Sequence, residues 1–103
     1  MPGKNASQKV ECLNPNTGGR INIDKTTHDL FSKAIRQSFK KDEALTFTQI
    51  VERVHDYLKR HKITFDGSVD WYAISVKHDM HARGLLEVFV EKGRKLHRLR
   101  NRE

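Results

Sequence analysis

The stretch from Gly67 to Arg100 constrains this chain most. It reads as a capped helix, a glycine stop and a basic two-strand hairpin in unbroken succession. Ser68 can accept a backbone N–H at the helix start. Val69, Tyr72 or Ala73, Val76 and Met80 recur at three and four residues, which marks one helix face. Gly84 falls where a helix closes in the left-handed conformation, so a positive φ is expected there. Leu85 to Val90 is apolar and β-branched, and Lys92-Gly93 is a turn signal. The returning strand carries Arg94, Lys95, Arg98 and Arg100. Leu96 and Leu99 are three apart and cannot share a face of a regular strand. Either a bulge intervenes, or only Leu99 packs inward with His97 beside it.

Upstream, residues 1–20 are polar and rich in Asn, Gly, Ser and Pro, and read as a flexible N-terminal arm. Ile21-Asn22-Ile23 is a candidate short strand against the body. Asp24 is a good N-cap for a first helix. Its stripe is His28, Phe31, Ile35 and Phe39, with Leu30 and Ala34 beside it. Cations at Lys40-Lys41 suit its C-terminal end. Ala44-Leu45-Thr46 is long enough for one turn or a three-residue strand. Thr46 then opens a capping box with Gln49. Phe47, Ile50, Val51, Val54 and Tyr57 or Leu58 continue at helical spacing to about Arg60. His61 to Gly67 is a connector in which Ile63 or Phe65 can plug the core. The expected fold is therefore mainly α with a small β-hairpin, an α+β domain over residues 21–103.

Length and charge narrow the function. With 103 residues the chain suits one compact domain. Of the +7 formal charge, +5 falls in residues 92–103. Such a local concentration points to a polyanionic partner more strongly than the total does. Cys12 is the sole cysteine, so no intrachain disulfide forms and a reducing compartment is expected. No apolar run approaches the roughly 18 residues of a membrane span. Residues 1–19 have no apolar signal-peptide core. A soluble cytoplasmic protein without a membrane partner is the expectation.

Val76 and Met80 ahead of Ala82-Arg83-Gly84-Leu85-Leu86-Glu87, in this order of elements, resemble the winged helix-turn-helix superfamily. The finer pattern is Leu13-Asn14-Pro15-Asn16, Ile23-Asp24-Lys25, Leu45-Thr46-Phe47 and Gly67-Ser68-Val69 with Trp71-Tyr72. It looks like a small uncharacterised prokaryotic winged-helix family. The resemblance implies three helices with a two- to three-stranded wing, duplex DNA as partner, and a role in transcriptional regulation. In that mode the third helix enters the major groove and the wing rests on phosphates. Ser75, Lys77, His78 and His81 would then face the groove. Arg94, Lys95, Arg98 and Arg100 would hold phosphates.

One feature argues for a different partner. From Ser68 to Arg83 the helix is electrically neutral, because Asp70 and Asp79 balance Lys77 and Arg83. A neutral helix gains no counterion-release affinity of its own. Trp71 and Tyr72 point about 100° apart on a helix, so burying Tyr72 leaves Trp71 at the margin or exposed. Trp71 and Ile74 would then form a protein-contact surface. His78 and His81 have a chelating spacing, but no second pair or CxxC completes a metal site, so neither metal nor cofactor is expected. Without a phosphate loop, carboxylate pair or nucleophile elbow, the chain does not read as an enzyme.

Overall fold

The computed structural model describes residues 8–14 and 16–100. Its elements run β1 (Lys9–Leu13), β2 (Arg20–Asp24), α1 (Lys25–Ser38), β3 (Ala44–Leu45), α2 (Phe47–Arg60), α3 (Val69–Ala82), β4 (Leu86–Glu91) and β5 (Arg94–Leu99). This is an α+β fold of three helices and two small antiparallel sheets, β1-β2 and β3-β5-β4.

Local chemistry sets the boundaries. Thr46 caps α2 by accepting from the Gln49 N–H at 3.2 Å, and the Gln49 side chain accepts from the Thr46 N–H at 2.9 Å. Ser68 caps α3 by accepting from the Trp71 N–H at 3.1 Å. At the far end of α3, Leu85 N–H donates to the Met80 carbonyl and Gly84 N–H to that of His81. This is the Schellman closure, and it needs the left-handed residue that Gly84 supplies at φ 78°. Lys92 and Gly93 take φ 53° and 76°, the two positive values of a tight hairpin turn whose twist matches the strands it joins. Asp24 does begin α1, but its side chain makes no capping bond and pairs with Lys9 at 2.7 Å instead. α1 stops at Ser38, short of Lys40-Lys41.

The core is built from all three helices. Phe31, Ala34 and Ile35 of α1 meet Ile50, Val54, Tyr57 and Leu58 of α2, and Ala73, Val76 and Met80 of α3. Both connector candidates pack against it. Phe65 sets its ring edge-on to Phe31 and to Tyr72, at centroid distances of 4.9 and 5.2 Å. Aromatic pairs favour that geometry. In the hairpin β4 and β5 pair without a bulge, Leu86 opposite Leu99 and Val88 opposite His97. Strand alternation turns His97 and Leu99 inward and Leu96 outward.

The expected loose arm differs from the structure over residues 9–13. Lys9–Leu13 is a strand in register with Arg20–Asp24, so that Val10 and Cys12 share a face with Ile21 and Ile23. Cys12 and Ile23 are buried in the core. The apolar alternation of the two segments is the physical reason, since a hairpin can bury that face against α3. Residues 1–7 of the expected arm lie outside the described residues.

Candidate functional site

α3 is covered on two flanks. Asp79 and Lys77 are two residues apart and so project about 200° from each other around a helix. Both are buried, at 1% and 4% exposure. Asp79 meets the N-terminal hairpin, and Lys77 lies over the Phe47 ring at the start of α2. Between them lies the outward face of α3, with Trp71, Ile74, His78 and His81.

The Asp79 flank is a polar junction of three elements, β1, α1 and α3. Its carboxylate accepts from Leu13 N–H of β1 at 3.0 Å and pairs with His28 Nε2 of α1 at 3.1 Å. Arg83 Nε donates to both carboxylate oxygens, at 3.0 and 2.9 Å, and Arg83 Nη2 reaches the Glu11 carbonyl at 2.9 Å. Cys12, His28 and Asp79 offer ligand-type atoms within 4.8 Å of one another. The carboxylate, however, is already occupied by protein donors, and a guanidinium sits where a cation would add a like charge. Burial, then the Asp79 charge, pushes the Cys12 thiol up to about 11, so it is held as a neutral thiol. Beside this junction a cleft of about 200 Å³ opens between the β1-β2 hairpin and α3, with Asn14, Thr17 and Arg20 facing Ser75 and His78.

The Lys77 flank corrects the expectation that this lysine faces a groove. Lys77 belongs to the same inward arc as Ala73, Val76 and Met80. Its ammonium lies 5.6 Å from the centroid of the Phe47 ring. Burial, then Lys95, lowers its pKa to about 8. His97 of β5 is fully buried and donates from Nδ1 to the Leu45 carbonyl at 2.9 Å. Burial is the main reason its pKa falls to about 4, with Lys77, Lys95 and His81 acting in the same direction. His78 and His81 are also shifted down, by burial first and then by Lys77 and Lys95.

The four expected phosphate holders do not form one stripe. Alternation along β5 puts Lys95 on the inner side with His97, and Arg94 and Arg98 on the other. Arg98 donates to Glu87 at 3.4 Å and stacks 4.7 Å from the Phe89 ring centroid. Arg94 stands opposite Glu91. On the outer face of the hairpin Arg98 is thus engaged with Glu87, and Arg94 has a carboxylate as its cross-strand neighbour. Arg100 follows β5 and ties back through its N–H to the Leu85 carbonyl. Ser75, His78, His81 and Lys95 stay near the α3 surface. Trp71 is 48% exposed, its ring edge-on to Tyr72 at 4.8 Å, and Ile74 is half-buried.

The chain belongs to a family of unknown function (DUF6958), whose model matches residues 9–96. No curated protein and no solved structure gives a significant match. Among the described residues no helix is long and apolar enough to cross a membrane.

Proposed function

We propose that this chain is a winged helix-turn-helix protein that binds duplex DNA with the outward face of α3 and the start of β5. The succession α1, β3, α2, α3, β4, β5, with β5 central in its sheet, supports the fold reading. One observation carries the DNA reading. Lys95 at the start of β5 and Lys77 on α3 flank His78 and His81, and among the described residues no ion pair engages any of these four basic side chains. Uncompensated positive potential on one helix flank is what a phosphate backbone neutralises. The β1-β2 hairpin, with Arg20 beside Ser75 and His78, would flank the duplex on the side away from the wing. A binding role rather than catalysis, and a reducing cytoplasmic setting for the unpaired Cys12, accompany this reading.

The test is fluorescence anisotropy of a labelled duplex over a salt series. With two or three phosphate contacts the slope of log K against log salt is about −2 to −3, and Lys95→Ala reduces it by about 1. No binding at low salt overturns the reading, because counterion release is then strongest. A second reading, a protein-contact module, rests on the exposed Trp71. In that case Trp71→Ala abolishes partner binding and leaves any duplex affinity unchanged.

A further inference from the structure

We propose an oxyanion site of phosphate type in the corner where α3, β5 and the start of α2 meet. Lys77 and His97 form its floor and His81 and Lys95 its rim. The inference stands on the buried groups themselves and goes beyond the duplex reading.

Two neighbouring polar groups in this corner are unmatched. Lys77 is nearly enclosed along its length, its ammonium keeps a narrow opening to water, and its only described partner is the face of Phe47. A largely desolvated cation without an anion is disfavoured, and a ring quadrupole repays only part of that cost. His97 is the second. Its Nδ1 bond to the Leu45 carbonyl fixes a proton on that nitrogen, since a carbonyl only accepts. Nε2 is buried and has no hydrogen-bond partner among the described residues. Leu45 and Phe47 bracket the α2 N-cap, so the imidazole and the ammonium are held at the same end of α2. The positive end of the α2 dipole adds to the field there.

The titratable groups described as facing this corner are all basic. α3 supplies Lys77, His78 and His81, and β5 supplies Lys95 and His97. β3 offers the Leu45 carbonyl, and the first turn of α2 contains no acidic residue. The inner face of β4 carries Leu86, Val88 and Val90, while Glu87 and Glu91 are on the opposite face. An incoming oxyanion would accept from the Lys77 ammonium and from His81 and Lys95. It would also draw a proton to His97 Nε2, which then donates to it while Nδ1 keeps its bond to Leu45. Binding therefore takes up protons, and it strengthens as pH falls below the lowered pKa of Lys77 and then through the histidine range.

Inorganic phosphate and a nucleic-acid phosphodiester share this chemistry, and two arms separate them. In the first, thermal unfolding is followed at about pH 6 in sodium phosphate and in sodium chloride of equal ionic strength, with the His97 ring protons observed by NMR. Phosphate should raise the unfolding midpoint above chloride and move the His97 resonances toward the protonated position. Lys77→Met, an apolar side chain of similar length over Phe47, should fold at least as stably and lose the phosphate increment. His81→Ala and Lys95→Ala should reduce it. No phosphate-specific increment in the wild type, or the full increment kept by Lys77→Met, overturns the site. In the second arm the wild type and Lys77→Met are titrated with a short duplex. A phosphate increment without duplex binding leaves the site standing and rejects the DNA reading. Duplex binding with an unchanged salt slope in Lys77→Met, and no phosphate increment, rejects the site alone.

Discussion

Replacing Asp79 with alanine should unlatch the N-terminal hairpin from α3. The carboxylate is 1% exposed and serves three donors from three other places in the chain: Leu13 N–H, His28 Nε2 and Arg83 Nε. Alanine leaves the first two without an acceptor in a part-buried setting, at about 1–3 kcal/mol each. The Arg83 end contributes less, because its guanidinium is about half exposed and regains water. The expected loss is about 3 kcal/mol in all, a large share of the roughly 5–15 kcal/mol by which domains are stable. For a domain of this size that lowers the unfolding midpoint by roughly 12–24 °C. Urea unfolding at neutral pH reads the free energy, and amide exchange at Leu13 reads the site. Asp79→Asn keeps one carbonyl acceptor and should lose less. A loss below about 1 kcal/mol for Asp79→Ala, with Leu13 still protected, refutes the idea that this carboxylate is the latch.

Gly84→Ala should cost about 1 kcal/mol from left-handed strain alone, because an added Cβ meets nothing within 4 Å at φ 78°; an unchanged thermal midpoint contradicts this. His97 has a folded pKa of about 4 against an ordinary 6.5, so the unfolded chain takes up its proton first as pH falls. Its contribution is complete above pH 6.5 and is lost between about 6.5 and 4, a fall of about 3 kcal/mol. His97→Gln, which can still donate to Leu45, should flatten that fall in urea titrations; an unaltered pH dependence speaks against it. Cys12, 2% exposed with its thiol raised to about 11, should resist a thiol reagent at mildly alkaline pH until the chain is unfolded. Rapid reaction of the native protein would be incompatible with the packed hairpin.

What was legible in the sequence was local. The Thr46–Gln49 box, the Ser68 cap, the Gly84 stop and the Lys92-Gly93 turn each depend on residues within a few positions of one another, and each appears in the structure. The first strand was missed because polar turn residues on both sides masked the alternation of Val10 and Cys12. The matching pair Ile21 and Ile23 was the available signal. The burial of Lys77 and Asp79 was not legible for a different reason. A single-face helix pattern assumes one buried side, whereas α3 is covered on two. Asp79 is satisfied by partners 66 and 51 residues away, which no local pattern specifies. The separation of Lys95 from Arg94 and Arg98 was legible from strand period alone, and the pairing of Arg98 with Glu87 followed from register.

An amide-resolved NMR titration with duplex DNA at low salt shows directly whether the outward face of α3 and the start of β5 form a duplex-binding surface. The prediction is a contiguous set of shifts at Ser75, His78, His81 and Lys95, extending to Arg20 of the flanking hairpin and fading as salt is raised. The contradicting result is a spectrum unmoved by duplex at low salt, or shifts confined to the Arg94 and Arg98 face of the hairpin with α3 silent.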